Sequence, residues 1–557
     1  MQLVSQGQQN IILNGNPSKT FFKSTYHKYT NFGKQFFRLD FEGAKALQLT
    51  EDSVFTFKVK RYADLLLDCY LSIDLPTIWS PIYPPSYNEI TGTTGEWVPY
   101  EFKWIENLGA QIIRQIEITV GNQTIQKFSG NYLLSMVQRD FSAEKKALFD
   151  KMIGNVKELN DPANSGSRVN SYPNAFYTEA ISGPEPSIRG RTIYIPLNSW
   201  FSLKTQMAFP LVALQYNELQ INVTLRPINE LFQIRDVQDK TNNYPYVAPN
   251  FNLFYMQMYR FLQPPPDIEL GINSYLDTRS VWNSNINLNC TYCFLSNDES
   301  RLFALNEQKY LFKQVYERPY YNVTGSNKIQ LDSLGMVANY MFYFQRSDVN
   351  LRNEWSNYTN WPYNYLPQDL VPASTQGVYP IQILDCSGNP VTVYIGPGVN
   401  PDYNLTGWMI TGQYNVQNIK DILIALGIQL DGQYREDLQP VGVYNYIEKY
   451  TRTAGNAPDG LYCYNFCINT SPFDLQPSGA INMSRFNKIE FEFTTTIPPV
   501  NNLAQSLAIC NPETGEIIGI NKPSYQIYDY NFDLYVFEER INQIVFVGGN
   551  ASLAYAT

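Results

Sequence analysis

Four cysteines lie in two pairs whose spacing is compatible with a tetrahedral zinc site. Cys290 and Cys293 form a C-x2-C pair, and Cys463 and Cys467 form a C-x3-C pair. Structural zinc sites usually carry such pairs on short turns. Here the sequence around each pair is strand-like, and neighbouring strand positions would point Cys290 and Cys293 to opposite faces of a sheet. We therefore predict buried free thiols, with no metal and no other cofactor.

The other candidates for chemistry are a single histidine and a pair of glutamates. His27 is the only histidine, whereas a Ser-His-Asp or Cys-His site needs a histidine held between two partners. Glu490 and Glu492 are about 7 Å apart by strand rise, a separation that glycosidases use. Charged residues alternating with apolar ones are also typical of any solvated sheet face. The sequence contains no P-loop and no HExxH motif, and we predict that the protein is not an enzyme.

The composition indicates which elements hold these residues. The chain has 557 residues, more than one ordinary domain, and 15% of them are aromatic. It contains 54 Asn, 34 Pro and 32 Gly, and only 17% of its residues are charged, against a usual value of about 25%. Tyr and Phe favour strands, whereas Asn, Pro and Gly favour turns. These values predict a large all-β protein with long loops.

Charge is unevenly distributed along the chain. The net charge is −10, which argues against a protein that mainly coats DNA. The first fifty residues nevertheless carry +4, from six Lys or Arg against Asp40 and Glu42, so the remainder carries −14. The basic segment indicates either an arm near something acidic or a set of solvated lysines.

Several features predict a soluble protein of intracellular origin. Seven cysteines in 557 residues are typical of a reducing compartment. Residues Met1–Gly15 lack the basic start and the apolar run of a signal peptide. No run of about 18 apolar residues predicts a transmembrane helix.

Alternation of apolar and polar residues predicts strands throughout the chain. Leu219–Leu225 (LQINVTL) is one clear example. Predicted helices are few: Phe141–Gly154 with Ser142 as N-cap, and Asn297–Val315 near the middle of the chain. A helical face is also predicted from the residues Val416, Ile419, Leu423 and Leu426. Strands on both sides of a central helix predict two β-sandwiches in tandem.

Particular strings of residues resemble a known family. Gly15–Phe32 reads GNPSKTFFKSTYHKYTNF, and Gly460–Arg485 contains QPSG followed by N-x-S-R. Both resemble signature segments of the major capsid proteins of nucleocytoplasmic large DNA viruses. Two stretches, Val237–Asn289 and Asn353–Gln413, are longer than in a minimal version of the family. Further segments are similar to the family in the same order: Ala63–Pro76, Trp104–Val120, Ile193–Phe201, Phe209–Leu225, Ser300–Gln314 and Gly548–Tyr555.

The resemblance implies an all-β double jelly roll, that is, two tandem eight-stranded antiparallel jelly rolls with long loops and a few short helices. It implies an N-terminal arm at 1–25, a first jelly roll at 26–299, a helical linker at 300–316 and a second jelly roll with a C-terminal tail at 317–557. The residues that match the family motifs, and that we expect to have structural roles, are Gly15, Asn16, Pro17, Phe21, Phe22, Pro477, Ser478, Gly479, Asn482, Ser484 and Arg485.

The same resemblance implies a structural major capsid protein whose trimers form pseudo-hexagonal capsomers of an icosahedral shell. The expected partners are two further copies, neighbouring capsomers and minor capsid proteins. The shell interior would face a membrane-bounded genome, without direct nucleic-acid binding by this chain. We expect the protein in the virion, after assembly in the host cytoplasm. Two alternatives remain open: a low-copy capsid paralogue, and a glycan-binding or glycan-cleaving β-sandwich protein.

Overall fold

The structure is a computed structural model, and its described part consists mostly of antiparallel strands. The described residues are 8, 11–12, 15–43, 46–82, 87–88, 93–94, 100–175, 184–239, 244–266, 274–364, 379–384, 390–395, 419–501, 507–512, 514–515, 517–521 and 527–555.

The first half of the chain forms two main sheets. One has the order β1-β14-β3-β10 with β9 also paired to β3, and the other has the order β2-β11-β7-β8. The chain crosses repeatedly between the two sheets, which is jelly-roll topology. The strands of this half are β1 (Phe32–Leu39), β2 (Ser53–Val59), β3 (Leu65–Leu75), β4 (Tyr87–Asn88), β5 (Thr93–Thr94), β6 (Phe102–Trp104), β7 (Ile113–Val120), β8 (Gln123–Phe128), β9 (Arg191–Pro196), β10 (Phe209–Pro210), β11 (Leu219–Leu225), β12 (Phe232–Arg235), β13 (Tyr246–Val247) and β14 (Asn287–Leu295).

The second half repeats the arrangement. Its main sheets have the orders β15-β27-β17-β22 and β16-β24-β20-β21. The predicted double jelly roll is therefore confirmed. The strands of this half are β15 (Gln308–Tyr320), β16 (Ser326–Gln330), β17 (Met336–Arg346), β18 (Tyr379–Leu384), β19 (Pro390–Ile395), β20 (Leu423–Leu430), β21 (Gln433–Pro440), β22 (Leu461–Asn465), β23 (Ile481–Asn482), β24 (Ile489–Thr495), β25 (Leu507–Cys510), β26 (Ile517–Asn521), β27 (Phe532–Val547) and β28 (Asn550–Leu553).

Strand β11 shows why the alternating pattern folds as predicted. Its odd-numbered residues from Leu219 to Leu225 are buried, and the residues between them are half-buried. The strand lies between β2 and β7, where Ile221 is directly opposite Phe57 on one side and Ile118 on the other. A two-residue period places all these side chains on the core face of the sheet.

The helices within the described residues are short and lie mostly in the first half. They are α1 (Leu108–Gln111), α2 (Gly130–Asp140), α3 (Ala143–Met152), α4 (Lys157–Asn160), α5 (Asn297–Leu305) and α6 (Glu448–Arg452), the last preceded by a π-helical turn at Val443–Ile447. Ser142 caps α3 by accepting a hydrogen bond from Lys145 N, as predicted. Among the described residues, no helix is long and apolar enough to cross a membrane.

Single turns of 3-10 helix occur in the described residues of both halves. They span Pro162–Asn164, Trp200–Ser202, Thr205–Met207, Leu211–Ala213, Ile228–Glu230, Phe254–Met256, Met258–Phe261, Val349–Leu351 and Met483–Arg485.

Two helix predictions are wrong. The helix predicted for Asn297–Val315 ends at Leu305, and the rest of that segment belongs to β15, so the segment 300–316 is helical only in its first residues. Strand β15 pairs with β27 along its whole length, from Gln308 opposite Phe546 to Tyr320 opposite Leu534. These ladder hydrogen bonds and the burial of apolar side chains outweigh a weak local helix preference.

The second wrong prediction is the helical face that includes Leu423 and Leu426. Val416 lies outside the described residues, while Leu423–Leu430 is strand β20. The pairing of β20 shifts register between Leu423 and Ala425 and again between Leu426 and Ile428. Each irregularity inserts a residue and breaks the two-residue period, so the apolar spacing imitates a helix.

One hydrophobic core extends from the first jelly roll into the second. It contains buried side chains of the first sandwich together with residues of the second half, among them Phe312, Val315, Met341, Tyr343, Phe537, Ile544 and Phe546. A separate core around Phe342 and Phe491 fills the second sandwich. The two jelly rolls are therefore joined by buried apolar contacts as well as by the chain connection.

Candidate functional site: the interface between the jelly rolls

Helix α2 ends in two charged residues that are buried against the second jelly roll. Arg139 donates to Asp140 Oδ2 at 2.6 Å, to Glu539 Oε1 at 2.8 Å and to Asn339 Oδ1 at 2.8 Å. The side chains of Arg139 and Asp140 are fully buried. Thr470 Oγ1 donates to Asp140 Oδ1 at 2.5 Å. Both charged residues of the first half thus have hydrogen-bond partners in the second half.

Glu539, on strand β27, has three further partners. Tyr132 OH donates to its Oε1 at 2.8 Å, Asn339 Nδ2 donates to its Oε2 at 2.8 Å, and Lys313 Nζ lies 3.4 Å from Oε2. We call these residues the seam cluster: Tyr132, Arg139, Asp140, Lys313, Asn339, Thr470 and Glu539.

The seam cluster is balanced in charge, with two cations and two carboxylates. Burial alone would raise the pKa of Glu539, but Arg139 and Lys313 outweigh burial and lower that pKa to about 2. Glu539 therefore stabilises the fold above its ordinary pKa near 4.5, and this contribution is lost as the pH falls towards 2. A buried ion pair contributes little net stability over a well-packed apolar pair, but removing one partner leaves an unpaired buried charge.

Close packing fixes helix α2 against both halves. The N-cap Ser129 accepts a hydrogen bond from Tyr132 N, and Ser129 N donates to Glu317 Oε1 of β15 at 2.6 Å. A Cβ atom at Gly130 would lie 1.9 Å from the carbonyl oxygen of Ala110, so glycine is required there. The helix is therefore held at its start by the second jelly roll and at its first turn by the first.

Gly455 of the second half contacts the other end of the same helix. Its backbone N–H donates to the carbonyl oxygen of Arg139 at 2.8 Å. A Cβ atom at Gly455 would lie 2.6 Å from that oxygen. This approach satisfies a carbonyl at the helix end that has no partner within the helix.

Aromatic rings form the apolar part of the interface. Trp200 of the first jelly roll packs against Tyr310 and Phe312 of β15, with ring centroids 5.7 and 5.5 Å apart. Phe209 meets Phe546 of β27 edge to face at 5.1 Å. Such pairs add about 0.5–1.5 kcal/mol each beyond the burial of area.

A loop of the second jelly roll crosses onto the first, and we call it the strap (residues 349–364). Trp355 Nε1 donates to the carbonyl oxygen of Glu230 at 3.0 Å, and the guanidinium of Arg226 lies 4.5 Å above the Trp355 ring. Asn353 Nδ2 donates to the carbonyl oxygen of Asn229 at 2.7 Å. The strap from Asn353 onward begins the long stretch 353–413 noted in the sequence, of which 365–378, 385–389 and 396–413 lie outside the described residues.

Glu106 of the first jelly roll is influenced by a like charge of the second. Burial and the nearby carboxylate of Glu354, which belongs to the strap, raise the pKa of Glu106 to about 7. Asn364 Nδ2 donates to Glu106 Oε2 at 3.2 Å and partly opposes that shift. Glu106 is therefore a carboxyl group that ionises near neutral pH inside the interface.

The QPSG motif lies beside this interface. Pro477 and Ser478 line a cavity of about 60 Å³ to which both jelly rolls contribute, including Trp200 and Phe312. Ser478 Oγ accepts from Asn469 N and donates to the carbonyl oxygen of the same residue, both at 2.9 Å.

Gly479 has φ +138°, a backbone conformation that L side chains rarely adopt. Gly479 directly follows Ser478. The motif therefore combines a proline with a fixed φ angle, a serine hydroxyl that bonds to Asn469, and a glycine that can adopt a positive φ angle. A structural role for these residues stays a prediction.

The N-x-S-R motif closes another loop of the second half. Asn482 Oδ1 accepts from Ser484 N at 3.1 Å, and Ser484 Oγ accepts from Gly335 N at 2.9 Å. Arg485 is exposed. The structure thus gives Asn482 and Ser484 local turn-forming contacts.

The N-terminal motif residues are separate from the interface. All side chains from Gly15 to Asn31 are exposed, including Asn16 and Pro17. Phe21 and Phe22 are 104% and 99% exposed. We call residues 15–31 the exposed arm; its motif residues are not brought together with those at Pro477–Arg485.

The four cysteines of the two pairs, Cys290, Cys293, Cys463 and Cys467, are buried free thiols, as predicted. Cys290 belongs to the main core, whereas Cys293 packs in a small separate cluster. Cys463 lies in β22, but the predicted strand stops at Asn465, so Cys467 is outside it. Among the described residues, no three His, Cys, Asp or Glu side chains are arranged to hold a metal ion.

The other candidates for chemistry have ordinary surroundings. His27 is exposed in the arm. Glu490 pairs with Lys488 at 2.7 Å and Lys328 at 3.3 Å, and the hydrogen bond from Lys488 lowers its pKa. A glycosidase acid needs a raised pKa, so this carboxylate is unsuited to donate a proton. Glu492 accepts from Tyr434 OH at 2.9 Å.

No sequence pattern predicted the seam cluster. The one feature that could have indicated it is the charged run Glu538-Glu539-Arg540 inside β27, a strand otherwise rich in apolar residues. Charges in the middle of a buried strand require buried partners.

Comparisons with known proteins identify the family. Residues 20–289 match the family model described as "Major capsid protein N-terminus", and residues 299–514 match "Large eukaryotic DNA virus major capsid protein". The chain belongs to the family of major capsid proteins of large eukaryotic DNA viruses. It is thus a viral capsid protein, and its place is the virion capsid.

Individual relatives agree with this assignment over their full length. The major capsid protein of Chrysochromulina ericina virus is 28% identical, and that of Phaeocystis pouchetii virus is 24% identical; each match covers 100% of this chain and 99% of the relative. A chain of the quasi-atomic model of the PBCV-1 virus capsid is similar in fold, with a TM-score of 0.58 and 18% identity, over 97% of this chain and 100% of that one.

Substitution of Arg139 tests the seam cluster. We expect Arg139→Met to lower the free energy of unfolding by about 3–5 kcal/mol, because it removes the ion pair of the buried Asp140 and leaves Glu539 with Lys313 as its cation. Chemical denaturation monitored by Trp fluorescence measures the change. The matched control is Arg279→Met, which removes an exposed pair with Asp277 and should leave stability nearly unchanged. A loss for Arg139→Met no larger than that of the control would contradict the role of the cluster.

Glu106 predicts a pH dependence. Because its pKa is higher in the folded than in the unfolded state, stability should decrease as the pH rises from about 4.5 to about 7, by at most about 3 kcal/mol. Glu106→Gln should reduce the slope of unfolding free energy against pH in this window, while Glu317, whose pKa burial also raises to about 7, keeps its own contribution. Glu539 acts only at lower pH, so the two effects are separable. An unchanged slope in the variant would refute the assignment.

Thiol labelling tests the burial of the cysteines. Burial raises the pKa of Cys463 to about 12, and the hydrogen bond with Cys290, whose sulfur lies 3.4 Å away, together with burial, raises that of Cys69. Thiolates are the reactive form, so we expect iodoacetamide to label Cys69 and Cys463 only after unfolding. Peptide mass spectrometry of native and denatured samples measures this; rapid native labelling at Cys463 would exclude a closed interface.

Proposed function

We propose that three copies of this chain form the building block of an icosahedral capsid and that the chain has no catalytic activity. The observation that supports this most strongly is the pair of jelly rolls with the same strand order, joined by one continuous core. Three such chains present six similar blocks. Six similar blocks approximate six-fold symmetry, so one protein can occupy the hexagonal positions of a closed shell.

In this proposal the interface between the jelly rolls holds the two blocks of each chain in a fixed relative position. A capsomer tiles only if the two blocks of each chain keep a fixed relation. The seam cluster, the aromatic contacts and the strap each connect the halves through a different set of elements. In this scheme residues 1–25 form the N-terminal arm, and the exposed arm (15–31) extends from it into the first block. The first block is 26–299, the link is 300–316, and the second block with its tail is 317–557. Neighbouring capsomers and minor capsid proteins are the further partners, and assembly takes place in the host cytoplasm.

Sizing and negative-stain microscopy of the purified chain test the proposal. We expect a species near three times 64.1 kDa with a hexagonal outline. A stable monomer at micromolar concentration would contradict it. Abundance in purified particles separates the major protein from a low-copy paralogue, since a major protein gives one of the strongest bands on a stained gel.

A further inference from the structure

The exposed arm combines positive charge with exposed aromatic rings. Residues 15–31 contain Lys19, Lys23 and Lys28 and no Asp or Glu, so the exposed arm carries +3 within a chain of net charge −10. Phe21, Phe22, Tyr26 and Tyr29 are each at least 86% exposed. Single exposed apolar residues are common on proteins, but four large rings within nine residues are not.

We propose that the exposed arm binds the surface of an anionic lipid membrane. Lysines near a negatively charged bilayer contribute about 1 kcal/mol each, and aromatic rings favour the boundary between headgroups and acyl chains. The arm alternates these two residue types over a short stretch: Lys19, Lys23 and Lys28 are interleaved with the four rings.

The spacing of the rings favours a lipid surface over a pocket on a protein. In the structure the arm from Pro17 onward has no helix and no strand before β1. If it became helical, about 100° per residue would gather Phe21, Phe22, Tyr26 and Tyr29 within an arc of about 140°. Lys23 and His27 would fall on the opposite side, and Lys19 and Lys28 would lie at the two edges of the arc. This is the pattern of a helix that lies in a membrane interface and folds on contact with it.

The number of arms matters for the strength of binding. Three lysines and four rings on one chain give weak, reversible attachment. In a trimer, and still more in a shell, many arms act together, and binding strengthens without new contacts. This valence rests on the proposed function; the lipid preference of a single arm does not.

Flotation of the full-length protein with vesicles tests the proposal. We expect binding to phosphatidylcholine vesicles that contain 30% phosphatidylserine, at least tenfold weaker binding to phosphatidylcholine alone, and loss of binding at high salt. Circular dichroism should show a gain of helix with the anionic vesicles only.

Arm variants and matched controls make the test specific. Lys19→Gln with Lys23→Gln, and Phe21→Ser with Phe22→Ser, should each weaken binding about tenfold or more. Lys151→Gln with Lys157→Gln, and Tyr450→Ser, alter exposed residues outside the arm and should bind like the unmodified chain.

Three results would overturn the proposal: equal binding to neutral vesicles, binding that survives both arm variants, or binding of single-stranded DNA in place of vesicles. A change of oligomeric size in the arm variants without any lipid binding would instead assign the arm to a second copy of the chain. Sizing of the same samples reports the trimer separately, so failure of the proposed function is distinguishable from failure of this inference.

Discussion

The burial of Arg139 constrains the rest of the molecule. A guanidinium with no exposed area is tolerated only where carboxylates and hydrogen-bond acceptors surround it, and here those groups come from both jelly rolls. Separating the halves would leave Arg139 without Glu539 and Asn339. The same movement would open the aromatic contacts of Trp200 and Phe209. The ion cluster therefore specifies one relative placement of the two blocks, and the apolar core around it supplies most of the attraction.

This arrangement connects local sequence to assembly. Glycines at both ends of α2 allow backbone to approach backbone, which brings Arg139 to the place where β27 presents Glu539. The strap fixes a second point, at Trp355 and the carbonyl of Glu230. A chain whose two sandwiches are held at several independent points behaves as one block, which is the property that repeated packing in a shell requires.

Alternation in strands such as Leu219–Leu225 predicted the β-sandwiches well, because it encodes a buried and a wet face, whereas the jelly-roll topology was implied by the resemblance to the family. Sequence patterns failed where tertiary pairing decided the outcome. Gln308–Val315 has helix-compatible residues, yet pairing with β27 makes it a strand. The bulges of β20 break its two-residue alternation, so its apolar residues are spaced as in a helix. The seam cluster could not be predicted because its members lie up to 407 residues apart, and no local pattern shows which charges will meet.

The contacts between the two jelly rolls should make them unfold as one cooperative unit. Differential scanning calorimetry of the full-length chain under reversible conditions measures this. We expect a single transition whose calorimetric and van't Hoff enthalpies agree. Two separable transitions, with one jelly roll melting while the other stays folded, would contradict it.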